Sequence, residues 1–223
     1  MTRIQRETVA EKSAAILRDR ILSGTLLPGS AVTEEAIGDE LGASRATIRQ
    51  ALNTLMVDGL LTRHPTTRVL QVTTLSPEDV HDIYRARRFF ELGGVDAAEH
   101  ASPEQLQRIT ETVKDLEKAV VDKDVAAFVQ ADMRCHTEIV ALLGSDHLIA
   151  AHAHLMAKLR LVITASETRF ARGLAVHKEF AQLLVSGSIQ EARDNLAARL
   201  DEAEEDVAHQ AEQLASSRPQ QSR

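Results

Sequence analysis

Residues Thr33–Leu60 read TEEAIGDELGASRATIRQALNTLMVDGL, and two short helical patterns meet in them at Leu41-Gly42-Ala43-Ser44. In the first, Ala36, Ile37 and Leu41 share a face, while Glu34 and Glu35 stand where the helix dipole favours acids. Gly42 suits the left-handed residue that ends a helix, and Ser44 suits the N-cap that opens the next. The second pattern runs from Ser44 to about Val57, with Ile48, Leu52, Leu55 and Met56 as its buried stripe. That spacing leaves Ser44, Arg45, Thr47, Arg49 and Gln50 toward solvent at its N-terminal end. Guanidinium groups there can bind phosphates or pair bidentately with guanine O6 and N7, and Thr and Gln can reach other base edges. The stretch reads as a helix-turn-helix with Ser44 to Asn53 on the recognition helix.

The residues that follow extend the motif. Leu60-Leu61-Thr62-Arg63 and Arg68-Val69-Leu70-Gln71-Val72 read as two short strands around His64-Pro65-Thr66-Thr67. A helix-turn-helix followed by a β-hairpin is a winged helix, and this wing carries Arg63, His64, Thr66, Thr67 and Arg68 beside the DNA groove. Upstream, Glu7 to Ser23 reads as a bracing helix with Ala14, Ile16, Leu17, Ile21 and Leu22 on one broad face, stopped by Gly24. This head resembles the DNA-binding domain of GntR-type regulators at Leu27-Pro28-Gly29-Ser30, Thr33-Glu34, Leu41 through Leu52, and Asp58-Gly59-Leu60. It departs from that pattern at Glu35, often basic in relatives, at Gly38, where alanine is usual, and at Arg68, which stands for the wing-tip glycine.

Composition bounds the remainder. Hydrophobic residues make up 43% of the 223 and charged residues 26%, which suits a soluble chain with one or two packed domains. Only 3% are aromatic, so the core must be aliphatic and Ala-rich, which favours helix-on-helix packing. No apolar run is long enough to span a membrane, and the N-terminus lacks a signal-peptide core. The single cysteine, Cys135, excludes an internal disulfide and fits the cytoplasm. The net charge of −7 is unevenly divided. Residues 1–75 carry nine Lys and Arg against eight Asp and Glu, and residues 76–223 carry seventeen against twenty-five. The acidic excess therefore lies outside the DNA head, and non-specific DNA affinity is expected to be modest because few phosphates can be neutralised.

A boundary is expected at 75/76, where Ser76-Pro77 with Asp79 opens a new helix. From there to residue 215 the pattern gives an antiparallel bundle of six helices. They run from Ser76 to His100, from Ser102 to about Asp122, from Asp124 to Leu143, and from Ser145 to about Arg172 with a break near Ser166. The fifth follows Gly173 to Val185, and the sixth runs from Ser188 to about Leu214. Residues 216–223 read as a disordered tail. The fold class is mainly α, a winged helix-turn-helix followed by this bundle.

In the bundle Asp132 and His136 are four apart and point from one helix face. His177 lies on the fifth helix, and Arg199 sits on the sixth beside Leu196 and Leu200, where a charge must snorkel or find a buried partner. His152 and His154, two apart, face different sides and are left out of any ligand set.

This half resembles the FCD effector domain of FadR-type GntR regulators at Tyr84-Arg85-Ala86-Arg87 with Glu91, at Asp132 through His136, at His177, and at Ala192 through Leu200. The resemblance implies a divalent ion, Zn²⁺ or Ni²⁺, held by an Asp and three His and in turn binding a carboxylate. Asp132, His136 and His177 match three of those positions, and Arg199, which cannot ligate a metal, stands at the fourth. Two readings stay open. Either the three residues hold the ion and Arg199 pairs with the effector carboxylate, or Arg199 replaces the ion, pairs with Asp132 and binds the anion itself. Arg87 is a second anion contact or simply the i+4 partner of Glu91.

The expected protein is a carboxylate-responsive repressor that binds a pseudo-palindromic DNA operator as a homodimer, and not an enzyme. The alternatives are a metal-dependent enzyme on Asp132, His136 and His177, and a DNA binder whose bundle serves dimerisation only.

Overall fold

The computed structural model describes residues 7–163 and 167–216, without side chains for 167–171; the expected break near Ser166 and all but Ser216 of the expected tail lie outside them. The chain divides into two compact units, Met1–Thr74 and Leu75–Arg223.

In the first unit α1 spans Val9–Leu22, opened by Thr8 and Glu11 in a reciprocal capping box. Its buried residues are Ala10, Ser13, Ala14, Leu17 and Ile21, while Ile16, expected on that face, is 43% exposed. Helix α2 (Glu34–Leu41) and helix α3 (Arg45–Val57) flank the expected turn. Gly42 takes φ +62° and its N–H bonds Gly38 O, and Ser44 Oγ accepts from Thr47 N. Helix α2 buries Ile37 and Gly38 and leaves Ala36 exposed, because α2 rests on α3 through one narrow edge. Gly38 has a packing reason: a Cβ there would stand 3.1 Å from Ala43 O in the turn. Helix α3 buries Ile48, Ala51, Leu52 and Leu55, with Met56 half-buried. Strands β1 (Ala31–Val32), β2 (Leu61–Arg63) and β3 (Leu70–Val72) form an antiparallel sheet in the order β1-β3-β2. The register pairs Leu61 with Val72 and Arg63 with Leu70, which completes the winged helix.

The second unit has six α-helices among the described residues: α4 Pro77–Ala97, α5 Pro103–Asp122, α6 Val125–Ala141, α7 Asp146–Leu159, α8 Glu167–Val185 and α9 Ile189–Ser216. Ser76 with Pro77 and Asp79, and Ser102 with Pro103 and Gln105, open α4 and α5 as capping boxes. The fourth bundle helix stops at Leu159 and the fifth starts at Glu167, so Gly173 lies inside a helix rather than before it. A Cβ on Gly173 would come within 2.9 Å of the Phe128 ring, so this glycine lets α8 close on α6. Gly94 does the same on α4, where a Cβ would overlap Ile139 O at 2.2 Å. The resulting α4–α6 approach sets Glu91 beside His136. The main core is mostly aliphatic, with Tyr84 and Phe180 as its buried aromatics and Val80, Ile109, Ile139, Leu159, Leu196 and Leu200 among its members.

Candidate functional site

On the head, the expected DNA-facing residues gather at the start of α3 and on the wing. Ser44 Oγ lies 2.8 Å from Thr47 Oγ1 as well as capping Thr47 N, so both hydroxyls are engaged in shaping the helix start. Arg45 Nη2 is 3.2 Å from Glu35 Oε1, with both side chains about 70% exposed. Arg49 is held more tightly: its Nε donates to Glu34 Oε1 at 2.7 Å and its Nη2 to Glu34 Oε2 at 2.9 Å. That hydrogen bond lowers the Glu34 carboxyl and raises the Arg49 guanidinium from their ordinary pKa values. Gln50 is exposed, with its carbonyl accepting from Thr54 Oγ1.

On the wing, His64 Nδ1 accepts from the backbone N–H of Thr66 and Thr67 at 3.2 and 3.1 Å. The ring proton is thereby assigned to Nε2, which leaves an N–H to donate outward. Arg68 adopts φ +61°, the left-handed conformation that glycine supplies at no cost, and keeps its side chain exposed.

The bundle brings Asp132, His136 and His177 together, with one potential ligand atom from each within 4.8 Å of the others. They border a cavity of about 190 Å³ that Arg87, Arg199 and Tyr84 also line. His177 Nδ1 is 2.7 Å from Gly173 O, and a carbonyl only accepts, so Nδ1 carries a proton. His136 Nδ1 is 2.6 Å from Glu91 Oε2, which fixes the same tautomer. His136 Nε2 is therefore left for the cavity, while His177 Nε2 lies 3.2 Å from Asp132 Oδ1. Outer-shell acceptors on Nδ1 are how metal-binding histidines are oriented, and one carboxylate with two imidazoles suits several divalent ions. The residues fit such an ion at three points. At the fourth, Arg199 Nη2 lies 3.0 Å from His177 Nε2, taking the lone pair a metal would use.

The charges explain the pKa directions. Burial alone would raise Asp132, but His177, His136 and the Arg199 guanidinium hold its carboxyl well below the usual range. Burial lowers His136 against the pull of Glu91, and burial also lowers Arg199, opposed by Asp132. The pairing of Arg199 with Asp132 is one of charge, without a hydrogen bond between them; the hydrogen bond goes to His177. Burial pushes the Cys135 thiol up to about 12, so it stays protonated.

Beneath the cavity lies a network that reasoning from the sequence caught only in part. Glu91 is fully buried and accepts from Arg87 Nε at 2.7 Å, from His136, and from His152 Nε2 at 3.0 Å. Arg87 is 3% exposed, stacks over the Tyr84 ring at 4.6 Å, and still reaches the cavity wall. Burial would raise Glu91, but Arg87 and His136 hold it far below its ordinary value. His152, left out of the reading, is fully buried, because its face of α7 packs on α4. The signal was present on α4: an Arg and a Glu four apart on the stripe of Ile83, Tyr84, Gly94 and Val95 need further partners. Glu138, two residues beyond His136, lies outside this network and accepts from Arg108 Nε of α5 at 3.0 Å.

Comparison with known proteins adds two family matches. The model described as bacterial regulatory proteins, gntR family, matches residues 9–69, and the FCD domain model matches residues 82–214. An HTH-type transcriptional regulator of Streptomyces ambofaciens is 27% identical over 209 residues, 90% of this chain and 87% of that protein. The HTH-type transcriptional regulator YdhC of Bacillus subtilis is 28% identical over 134 residues, which span 59% of each chain. Among solved structures, a GntR transcriptional regulator from Rhodococcus sp. RHA1 superposes with a TM-score of 0.77 at 25% identity, over 89% of this chain and 96% of that one.

Proposed function

Because the chain belongs to the gntR family of bacterial regulatory proteins and carries an FCD domain, we propose that it is a carboxylate-responsive repressor. In this reading residues 1–75 bind operator DNA, residues 76–215 bind the effector and dimerise the chain, and the protein works in the cytoplasm. One winged helix reads too few bases for specificity, so the operator is a pseudo-palindrome bound by a homodimer. Arg45, Arg49 and Gln50 present donors to base edges, and His64, Thr66, Thr67 and Arg68 line the neighbouring backbone. Ser44 and Thr47 set the start of the recognition helix. A transcription regulator, not an enzyme, is what the family and its relatives are.

The observation that carries the effector reading is Arg199, a largely buried cation at the wall of a small cavity. A guanidinium there can bind a carboxylate bidentately, and the cavity suits a small organic acid rather than a larger ligand. Arg87 lies at the same wall, but Glu91 already holds it, so it adds field rather than a free fork. A second reading rests on the tautomers of His136 and His177: Asp132 and the two Nε2 atoms hold Zn²⁺ or Ni²⁺ once Arg199 turns to the effector. The ion would supply a Lewis-acidic contact for the carboxylate. Either way, release requires the acid to bind the DNA-free state more tightly than the DNA-bound one.

The test is a thermal-shift screen of small carboxylic acids with and without EDTA, followed by DNA release with each hit. Expected is an acid that raises Tm and releases the duplex. Stabilisation that survives EDTA supports Arg199 as the anchor, and stabilisation that EDTA abolishes supports the ion. If no acid shifts Tm in either condition, the effector reading falls.

A further inference from the structure

The two arginines at the start of the recognition helix are both paired with acids from the first turn of α2. Arg49 gives its Nε/Nη2 edge to Glu34, at 2.7 and 2.9 Å, and Arg45 gives Nη2 to Glu35 at 3.2 Å. A guanidinium has five N–H donors. The bidentate pair uses two on Arg49 and leaves three, including both on Nη1, which is enough for guanine O6 and N7. The same pairing leaves each Arg–Glu pair with no net charge to offer a phosphate.

We propose that Glu34 and Glu35 are specificity-determining residues, holding Arg49 and Arg45 as charge-compensated, oriented base readers and rejecting phosphate-only binding. This rests on the reading that the start of α3 enters the DNA groove. A phosphate approaching either arginine meets a carboxylate 2.7–3.2 Å from it, and so faces like-charge repulsion. A base edge is an uncharged acceptor and meets no such repulsion. Non-specific affinity comes from neutralised phosphates, whereas sequence is read at base edges. Compensating the two arginines therefore weakens binding to arbitrary DNA more than binding to the operator. Orientation adds to the discrimination, because Glu34 restricts the rotamers of a long side chain that is otherwise 64% exposed.

The experiment uses the full chain and two probes: the duplex that the wild-type protein selects from a randomised library, and a scrambled duplex of equal length. Affinities are measured across a salt series for wild type, Glu34→Gln, Glu35→Gln, the double variant and Arg49→Ala. Glutamine keeps the size of each side chain and removes only its charge. Expected in the double variant is tighter binding to the scrambled duplex, with a salt slope steeper by about 1 per acid removed. The ratio of selected to scrambled affinity should fall about tenfold or more. A ratio unchanged in the double variant, while Arg49→Ala lowers it, overturns the proposal and leaves the recognition helix intact. If Arg49→Ala binds the selected duplex as wild type does, the assignment of the recognition helix fails, and the proposal with it.

Discussion

Arg49 with Glu34 and Arg87 with Glu91 make the same contact, Nε to Oε1 at 2.7 Å, in the two units of the molecule. The first pair is 64% and 32% exposed, the second 3% and 0%. Distance therefore says nothing about what each pair does; the surrounding medium decides it. In water the Coulomb attraction is small and competes with solvent and salt, so the head pair adds little stability while leaving Arg49's remaining donors open to DNA. In the bundle neither charge can return to water, so the pair holds only while every member keeps its bonds. Its third and fourth members, His136 and His152, are thereby held in place. The exposed pair is suited to recognition and the buried one to holding a cavity wall in shape.

The largest expected effect breaks the buried side of this contrast. Glu91→Ala leaves the Arg87 guanidinium buried without a counter-charge and strips the acceptor from His136 and His152. Removing one partner of a buried pair costs about 3–5 kcal/mol, which for a unit of this size lowers Tm by roughly 10 °C or more. Denaturant unfolding of the full chain measures it. A loss under about 1 kcal/mol would mean that water reaches the network, and that the two pairs differ less than their burial implies.

Arg199 stands between the two extremes, a part-buried cation with a charge partner in Asp132 but no carboxylate hydrogen bond among the described residues. Replacing it sharpens the contrast at the cavity. Arg199→His removes the fixed charge that opposes a dication and adds a neutral donor, completing a one-Asp, three-His set. The variant should retain Zn²⁺ or Ni²⁺ through dialysis where wild type loses it, as elemental analysis reads directly. Stoichiometric metal in both proteins would show that Asp132, His136 and His177 suffice, and anchoring by Arg199 alone would fall. No metal in either would show that the three do not act as one ligand set.

How much of this was legible in the sequence follows the same divide. The head was readable almost residue by residue, because caps and turns are local: Gly42, Ser44 and the wing each answer to their immediate neighbours. Even so, Ile16 and Ala36 were placed inside, since a face about 100° wide does not say which edge meets a neighbour. In the bundle, Asp132, His136 and His177 could be found from spacing and family resemblance. The role of Glu91 could not, because it is set by His152, sixty-one residues away, and by an approach of α4 to α6 that Gly94 permits. The start of α8 was missed for a related reason. Gly173 looks like a helix breaker in sequence, and only the Phe128 ring against it explains a glycine within the helix.

The smallest expected effect tests the exposed side. Arg49→Ala removes a bidentate ion pair whose geometry is as good as that of the buried one, so contact distance alone would predict a large loss of stability. Exposure predicts otherwise: the attraction is weakened by water and salt, and ordering two long side chains offsets most of what remains. Glu34 also sits in the first turn of α2, where the helix dipole continues to favour it without Arg49. The Tm of the variant should therefore stay within about 1 °C of wild type, while its affinity for the selected duplex falls by about tenfold to a hundredfold. Both are read on one preparation, by thermal unfolding and by titration with DNA. A fall in Tm approaching that of Glu91→Ala would mean that Glu34 and Arg49 brace α2 against α3, and that the pair belongs with the scaffold rather than with the reader.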